Sequence, residues 1–124
     1  MDNDAYGHVN NVVYYSWFDT AVNGYLIDRG TLDIAESPFV GLVVETGCRY
    51  HSPISYPQHV TVGLRVARLG TSSVRYELAA FRDEEATASA EGFLVHVYVD
   101  RATMRPASIP AAARTAMLAI QAAG

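Results

Sequence analysis

The segment Asp2-Asn3-Asp4-Ala5-Tyr6-Gly7-His8-Val9-Asn10-Asn11 gathers two carboxylates, a glycine, a histidine and three asparagines at the entry to the most hydrophobic helical stretch of a 124-residue chain. Asp4 lies a few residues before a helix start, where unpaired backbone N–H groups and the positive end of the helix dipole can polarise a carbonyl oxygen. Acyl transfer uses that pairing. The carboxylate activates a water or attacks the carbonyl itself, while the amides hold the charge that develops on oxygen. The same residues also suit a plain structural role, with Asp2 and Asp4 solvating a loop, Gly7 turning it, and Asn10 and Asn11 capping a helix. Residue types and spacing alone leave both readings open.

The elements that would position this segment are legible from periodicity. Tyr14, Trp17, Phe18, Ala21, Val22, Tyr25 and Leu26 recur at i, i+3, i+4, i+7, i+8, i+11 and i+12, the spacing of one wide apolar helical stripe. The helix is expected to begin at Asn10 or Asn11 and to stop at Gly30, which tolerates the left-handed conformation of a helix end. The period then changes to two: Val40, Leu42, Val44, Thr46, Cys48 and Tyr50 on one face of a first strand, Val60, Val62, Leu64 and Val66 on a second, and Val74, Tyr76, Leu78 and Ala80 on a third. A proline-rich turn at 51–57, a short hairpin at Leu69-Gly70-Thr71 and a charged reversal at 83–85 join them. A fourth strand over about 86–99 is apolar on both faces and is expected to be buried on both sides. Pro110 opens a short alanine-rich helix, 111–122, expected to pack on the surface. One sheet wrapped around one heavy helix satisfies this order, with a second subunit over part of the sheet's outer face.

Composition bounds the function. The chain is 50% hydrophobic and 18% charged, long enough for a single domain spanning residues 1–124 with its own core. All nine cationic residues are Arg against thirteen acids, a formal charge of −4. A dense basic face for nucleic acid is therefore not expected, although two or three Arg could hold an anionic small molecule. Neither a signal peptide nor a membrane span is expected, and the lone Cys48 fits a reducing, cytoplasmic setting. Cys48 reads as a small apolar filler in mid-strand, because nothing beside it would lower its pKa. His51, His59 and His96 lack the spacing of a metal site, and no metal or cofactor is expected.

The run Asp4-Ala5-Tyr6-Gly7-His8-Val9-Asn10-Asn11, followed by Tyr14, resembles the D-x-x-G-H-V-N-N-x-x-Y signature of the 4-hydroxybenzoyl-CoA thioesterase-like branch of the hotdog superfamily. Arg49-Tyr50-His51-Ser52-Pro53 resembles that family's R-Y-x-x-P turn, and Arg68-Leu69-Gly70-Thr71-Ser72-Ser73-Val74 its R-L-G-x-S-S-V hairpin. Asp100-Arg101-Ala102-Thr103-Met104-Arg105-Pro106, with Ile109-Pro110 after it, resembles its usual ending. These pieces cover nearly the whole chain in order.

The resemblance implies an α+β hotdog fold, a long central helix wrapped by a curved antiparallel sheet, assembled as a homodimer or homotetramer. It implies hydrolysis of an acyl-CoA to free acid and CoA. Asp4 takes the place of the family's carboxylate, as nucleophile or general base, and the backbone N–H of Asn11 that of the amide which polarises the thioester carbonyl. His8 is a further catalytic candidate, set against a structural role beside the helix start. Arg68, Thr71, Ser72 and Ser73 are candidates to meet the nucleotide or pantetheine end of CoA, with Arg101 and Arg105 weaker candidates, and Tyr14 one for the substrate pocket. Two alternatives remain: a non-catalytic acyl-thioester binding module, and a thioesterase acting on acyl carrier protein, which the chain's acidity disfavours. Hydratase chemistry is not expected. Relatives carry a first strand ahead of this motif that is missing here, so the natural chain is expected to extend upstream of Met1.

Overall fold

A computed structural model of the chain describes residues 11–33, 36–51, 60–82 and 88–122. Helix α1 (Asn11–Asp28) precedes strands β1 (Phe39–Tyr50), β2 (Val60–Leu69), β3 (Ser73–Arg82) and β4 (Ala90–Asp100), and helix α2 (Ala111–Leu118) follows. The strands form one antiparallel sheet in the order β1-β4-β3-β2. This is the α+β arrangement of a helix against a sheet that the periodicities require. The expected turn at 51–57 and reversal at 83–85 lie, apart from His51, outside the described residues.

The stripe of α1 forms as its spacing predicts. Tyr14, Phe18, Val22 and Leu26 are buried, four residues apart, against Val66, Val74, Tyr76, Leu78, Ala80, Leu94 and Tyr98 of the sheet. Phe18 is 0% exposed, and burying its side chain contributes about 2–3 kcal/mol. Its ring lies directly on the backbone of β4: a Cβ at Gly92 would stand 2.6 Å from the ring and 2.5 Å from the Gly47 carbonyl oxygen. Gly92 is thus the one inward position on β4 that admits the ring. At the far end, Gly30 takes φ +72°. Its N–H donates to the Ile27 carbonyl at 2.9 Å and that of Thr31 to the Leu26 carbonyl at 3.0 Å, the paired bonds that close a helix with a left-handed residue.

Strand β3 keeps one phase on the helix side, and β2 follows it as far as Val66, with Val62, Leu64 and Val66 opposite Ala80, Leu78 and Tyr76 before a slip between Val66 and Arg68. Strand β1 does not. Its ladder to β4 runs Gly41↔Tyr98 and Val43↔His96, slips, and resumes Thr46↔Leu94, Cys48↔Gly92 and Tyr50↔Ala90. The irregularity falls between Val43 and Glu45, so Val44 is the extra residue of a bulge and the strand changes phase there. The single face expected for Val40, Leu42, Val44, Thr46, Cys48 and Tyr50 is therefore corrected: only Thr46, Cys48 and Tyr50 share the helix side, with Gly41 and Val43 before the bulge.

Strand β4 begins at Ala90, not Ala86, and both its faces are covered to different degrees: Leu94, His96 and Tyr98 are buried toward α1, while Phe93, Val95 and Val97 are half-buried on the other side. That outer face is less apolar than expected. Arg65 pairs with Glu77 at 2.8 Å, the Arg75 guanidinium lies 4.0 Å from the centre of the Phe93 ring, and His51 is 3.5 Å from Glu91. Exposed apolar side chains collect instead on β1, at Phe39, Leu42, Val43, Val44 and Tyr50.

Helix α2 is shorter than the expected 111–122 and more deeply seated. Ala113, Ala116 and Met117 are buried, and the Tyr25 hydroxyl donates to the Ala116 carbonyl. Beyond α2 the chain turns to lie beside β2, with the Val66 N–H donating to the Ile120 carbonyl at 2.9 Å and the Ala122 N–H to the Val66 carbonyl at 2.8 Å. A sheet partner thus takes over where continued helix was expected.

Candidate functional site

The start of α1 is the positional anchor of the candidate site. The described part of α1 opens at Asn11, whose backbone N–H is the group that the family resemblance assigns to the thioester carbonyl. Asp4 and His8 lie outside the described residues. Three residues into the helix, Tyr14 is 2% exposed, and its ring meets Trp17 edge-on at 5.3 Å and Tyr50 at 5.0 Å between centroids. Within one chain Tyr14 therefore acts as packing that fixes the first turns of α1 to the end of β1.

This corner is aromatic, with Tyr14 buried and Tyr50 at its exposed rim, and it holds its protons. Burial, reinforced by the neighbouring Cys48 thiol and opposed by Arg82, pushes the Tyr14 hydroxyl above the ordinary phenol range. Burial likewise raises the Cys48 thiol, against a hydrogen bond from Tyr50. Tyr50 is raised further, by burial and then by Cys48. A thiol pushed up in this way stays protonated at neutral pH and is a poor nucleophile, in keeping with the filler role expected of Cys48. Among the described residues, no three of His, Cys, Asp and Glu come together in a metal-binding group.

The second candidate group lies at the opposite end of the sheet. Ser73 pairs with Val97 and Val74 with His96, so the hairpin that joins β2 to β3 stands level with the last turns of α1, not the first. An 18-residue helix is about 27 Å long. Arg68, Thr71, Ser72 and Ser73 are thus separated from Asn11 by nearly the length of the domain. Arg68 and Thr71 are exposed, and Ser72 and Ser73 are half-buried. The structure brings the hairpin residues together with each other, and Asn11 together with Tyr14, but does not unite the two sets within one chain. Arg101 and Arg105 fall in the turn after β4, near the hairpin's end of the sheet, where the Asp100 carboxylate accepts the N–H groups of Ala102 and Thr103 at 2.9 and 3.1 Å.

The hairpin is held from behind by contacts the sequence reading missed. The Tyr98 N–H donates to the Ser72 carbonyl at 2.8 Å, and the Ile109 N–H to the Thr71 carbonyl at 2.9 Å. Arg114 of α2 donates through Nη2 to the carbonyl of Gly70 and, at 3.3 Å, to that of Thr71. The one available signal was an Arg standing alone in an alanine-rich segment, which gives no hint of a partner 44 residues away.

Between these ends, His96 is 3% exposed on the helix side of β4. Burial holds its imidazole below the ordinary range, with Asp19 opposing, and its Nε2 has no hydrogen-bond partner. A cavity of about 180 Å³ beside it is lined by Asn23, Leu26, Val40, Gly41 and Tyr98 among others. A Cβ at Gly41 would come within 2.9 Å of the His96 Nδ1.

Comparison with known proteins decides the family. A model of the thioesterase-like superfamily matches residues 1–118. The chain belongs to that superfamily. Among solved structures, the PA5185 protein from Pseudomonas aeruginosa superposes with a TM-score of 0.96 at 54% identity, covering 99% of this chain and 86% of that one. A thioesterase from Thermus thermophilus, solved with coenzyme A and zinc, superposes with a TM-score of 0.80 at 34% identity, covering 99% and 88%. BH1999, a gentisyl-coenzyme A thioesterase, shares the fold with a TM-score of 0.81 at 24% identity, covering 94% and 92%. No curated protein sequence matches. The hotdog fold expected from the motifs is the fold of this thioesterase-like chain, and thioester hydrolysis is the activity that its membership supports. No helix of the described residues is long and apolar enough to cross a membrane.

Proposed function

We propose that this chain is an acyl-CoA thioesterase that hydrolyses its substrate to free acid and CoA. The observation that carries the reading is the match of residues 1–118 to the thioesterase-like superfamily, which takes in Asp4 and, seven residues on, Asn11 at the described opening of α1. The thioester carbonyl takes the free Asn11 N–H, whose donor strength is raised by the helix dipole and the low surrounding polarity. Asp4 activates water or attacks the carbonyl carbon, and His8 stands in the same segment to position substrate or a proton. The carbon–sulfur bond breaks as the water oxygen bonds to the carbonyl carbon, and the expelled CoA thiolate takes the proton that water supplies.

The hairpin contributes the CoA-binding half. Arg68 offers a forked guanidinium to phosphate, and Thr71, Ser72 and Ser73 offer hydroxyls. Because the hairpin is a domain length away from Asn11, a complete site takes its hairpin from a second copy of the chain. The edge of β1 supports assembly: it has no strand on its far side among the described residues and exposes Phe39, Leu42, Val43 and Val44, the last 59%. We therefore assign the protein as a homodimer or a higher homo-oligomer, acting in the cytoplasm. A binding module without turnover and hydrolysis of acyl groups on carrier protein are the competing readings.

Release of free thiol from short, medium, long and aromatic acyl-CoA esters, with wild type and Asp4→Asn compared, tests the reading. Turnover by wild type that collapses in the variant, with fold and assembly intact, is expected. Absence of turnover in a folded wild type that still binds CoA overturns it in favour of a binding module.

A further inference from the structure

We propose that Arg114 is a positioning residue that turns the β2–β3 hairpin into a phosphate-binding loop, in which the backbone N–H groups of Thr71 and Ser72 join Arg68 in holding the anionic end of CoA. The inference rests on the CoA reading given above and adds to it both the donor atoms and the device that aims them.

In a trans peptide the N–H of each residue points away from the carbonyl of the residue before it. The Gly70 carbonyl is drawn toward α2 by Arg114, and the Thr71 carbonyl by Arg114 and the Ile109 N–H together. The next carbonyl, of Ser72, is drawn to the Tyr98 N–H. Three successive carbonyls are thus bonded into the body of the protein. The N–H groups of Thr71 and Ser72 consequently face the other way, and neither has an acceptor among the described residues; nor do the Thr71 and Ser72 hydroxyls. Successive outward N–H groups beside hydroxyls and a guanidinium form the donor-only concavity that binds phosphate oxygens.

Arg114 suits this task because its Nη2 carries two N–H bonds, one for each of two adjacent carbonyls, at the end of a side chain that is longer than a lysine's and planar at its tip. It is itself half-buried, so it braces the loop from the side opposite the proposed anion. Without it, Gly70, a glycine free of side-chain constraint, can let its peptide planes rotate and scatter the two N–H directions.

The test measures binding of two probes, coenzyme A and pantetheine, which lacks the nucleotide and its phosphates, to the full chain by calorimetry. Amide resonances of ¹⁵N-labelled protein are followed alongside. In wild type the Thr71 and Ser72 amides are expected to shift on adding coenzyme A and to stay in place with pantetheine. Arg114→Met and Arg114→Lys are expected to weaken coenzyme A binding about tenfold, with pantetheine affinity unchanged. Arg68→Ala serves as the reference for the CoA reading. If Arg68→Ala weakens coenzyme A binding while both Arg114 variants match wild type, the positioning role is overturned and the CoA reading stands. Thr71 and Ser72 amides unmoved by saturating coenzyme A likewise overturn it. Equal loss for both probes in Arg114→Lys reduces Arg114 to general stability and overturns it too. If wild type binds no coenzyme A at all, the functional reading falls first.

Discussion

Beside the described opening of α1, Tyr14, Trp17, Tyr50 and Cys48 pack into an aromatic corner whose burial holds the protons of the Tyr14 phenol and the Cys48 thiol. At the other end of the sheet the hairpin is polar and exposed, and its rigidity comes from carbonyls tied down by Tyr98, Ile109 and Arg114. The first region is aromatic and largely covered, the second polar and open to solvent. Low polarity magnifies a hydrogen bond that forms in the transition state, whereas phosphate recognition needs many donors and tolerates water. The two ends should therefore fail differently when they are altered.

The largest expected effect separates them by rate. Asp4→Asn is expected to lower kcat by about a thousandfold with the melting temperature unchanged, measured by thiol release and thermal unfolding. A comparable loss in Asn11→Ala would shift the oxyanion role from backbone to side chain, because only the side chain is removed there.

Next comes the packing that fixes the aromatic corner. Phe18→Ala should cost about 3–5 kcal/mol in urea unfolding, since it empties a fully buried site. Gly92→Ala should also destabilise strongly, because its added carbon meets the Gly47 carbonyl oxygen at 2.5 Å, and backbone does not move aside. An Ala at Gly92 that leaves the unfolding midpoint unchanged would mean that ring and strand are less tightly joined than the fold implies.

The hairpin should answer in affinity. Arg68→Ala is expected to raise KM for an acyl-CoA about tenfold, with kcat within about twofold, and to leave KM for a truncated acyl thioester unchanged. Equal effects on both substrates would break the contrast between the two ends.

Stability against pH gives a smaller effect from the region between them. Burial lowers the His96 pKa in the folded state, so between that value and the ordinary value near 6.5 the unfolded chain binds a proton that the folded chain does not. The stability from His96 is present above about pH 6.5 and declines as pH falls below it. Melting temperatures from pH 8 to 5 should show this decline in wild type and a flatter profile in His96→Leu. The smallest effect belongs to the outer face: Arg65→Ala breaks an exposed pair and should cost below about 1 kcal/mol.

Much of this architecture was legible residue by residue. The stripe from Tyr14 to Leu26, the stop at Gly30 and the shared phase of β2 and β3 depend on spacing within one element, which the chain carries locally. The motif from Asp4 to Asn11 places the candidate chemistry ahead of α1, and all of it before Asn11 lies outside the described residues. Other features are set by partners distant in sequence. Alternation along β1 looked unbroken because apolar residues fall on both sides of Val44; the bulge is visible only in the ladder to β4. An alanine-rich tail reads as helix until pairing with Val66 supplies a better home for the backbone of Ile120 and Ala122.

The sequence by itself determined the helix, the strands and the kinds of group available for acyl transfer and phosphate binding, since local periodicity and residue chemistry suffice for those. Only the tertiary structure decided that Asn11 and the hairpin stand at opposite ends of one chain, and that Arg114 reaches the carbonyls of Gly70 and Thr71. Those facts depend on how a rigid helix and four paired strands set directions in space, and no spacing along the chain encodes such a direction.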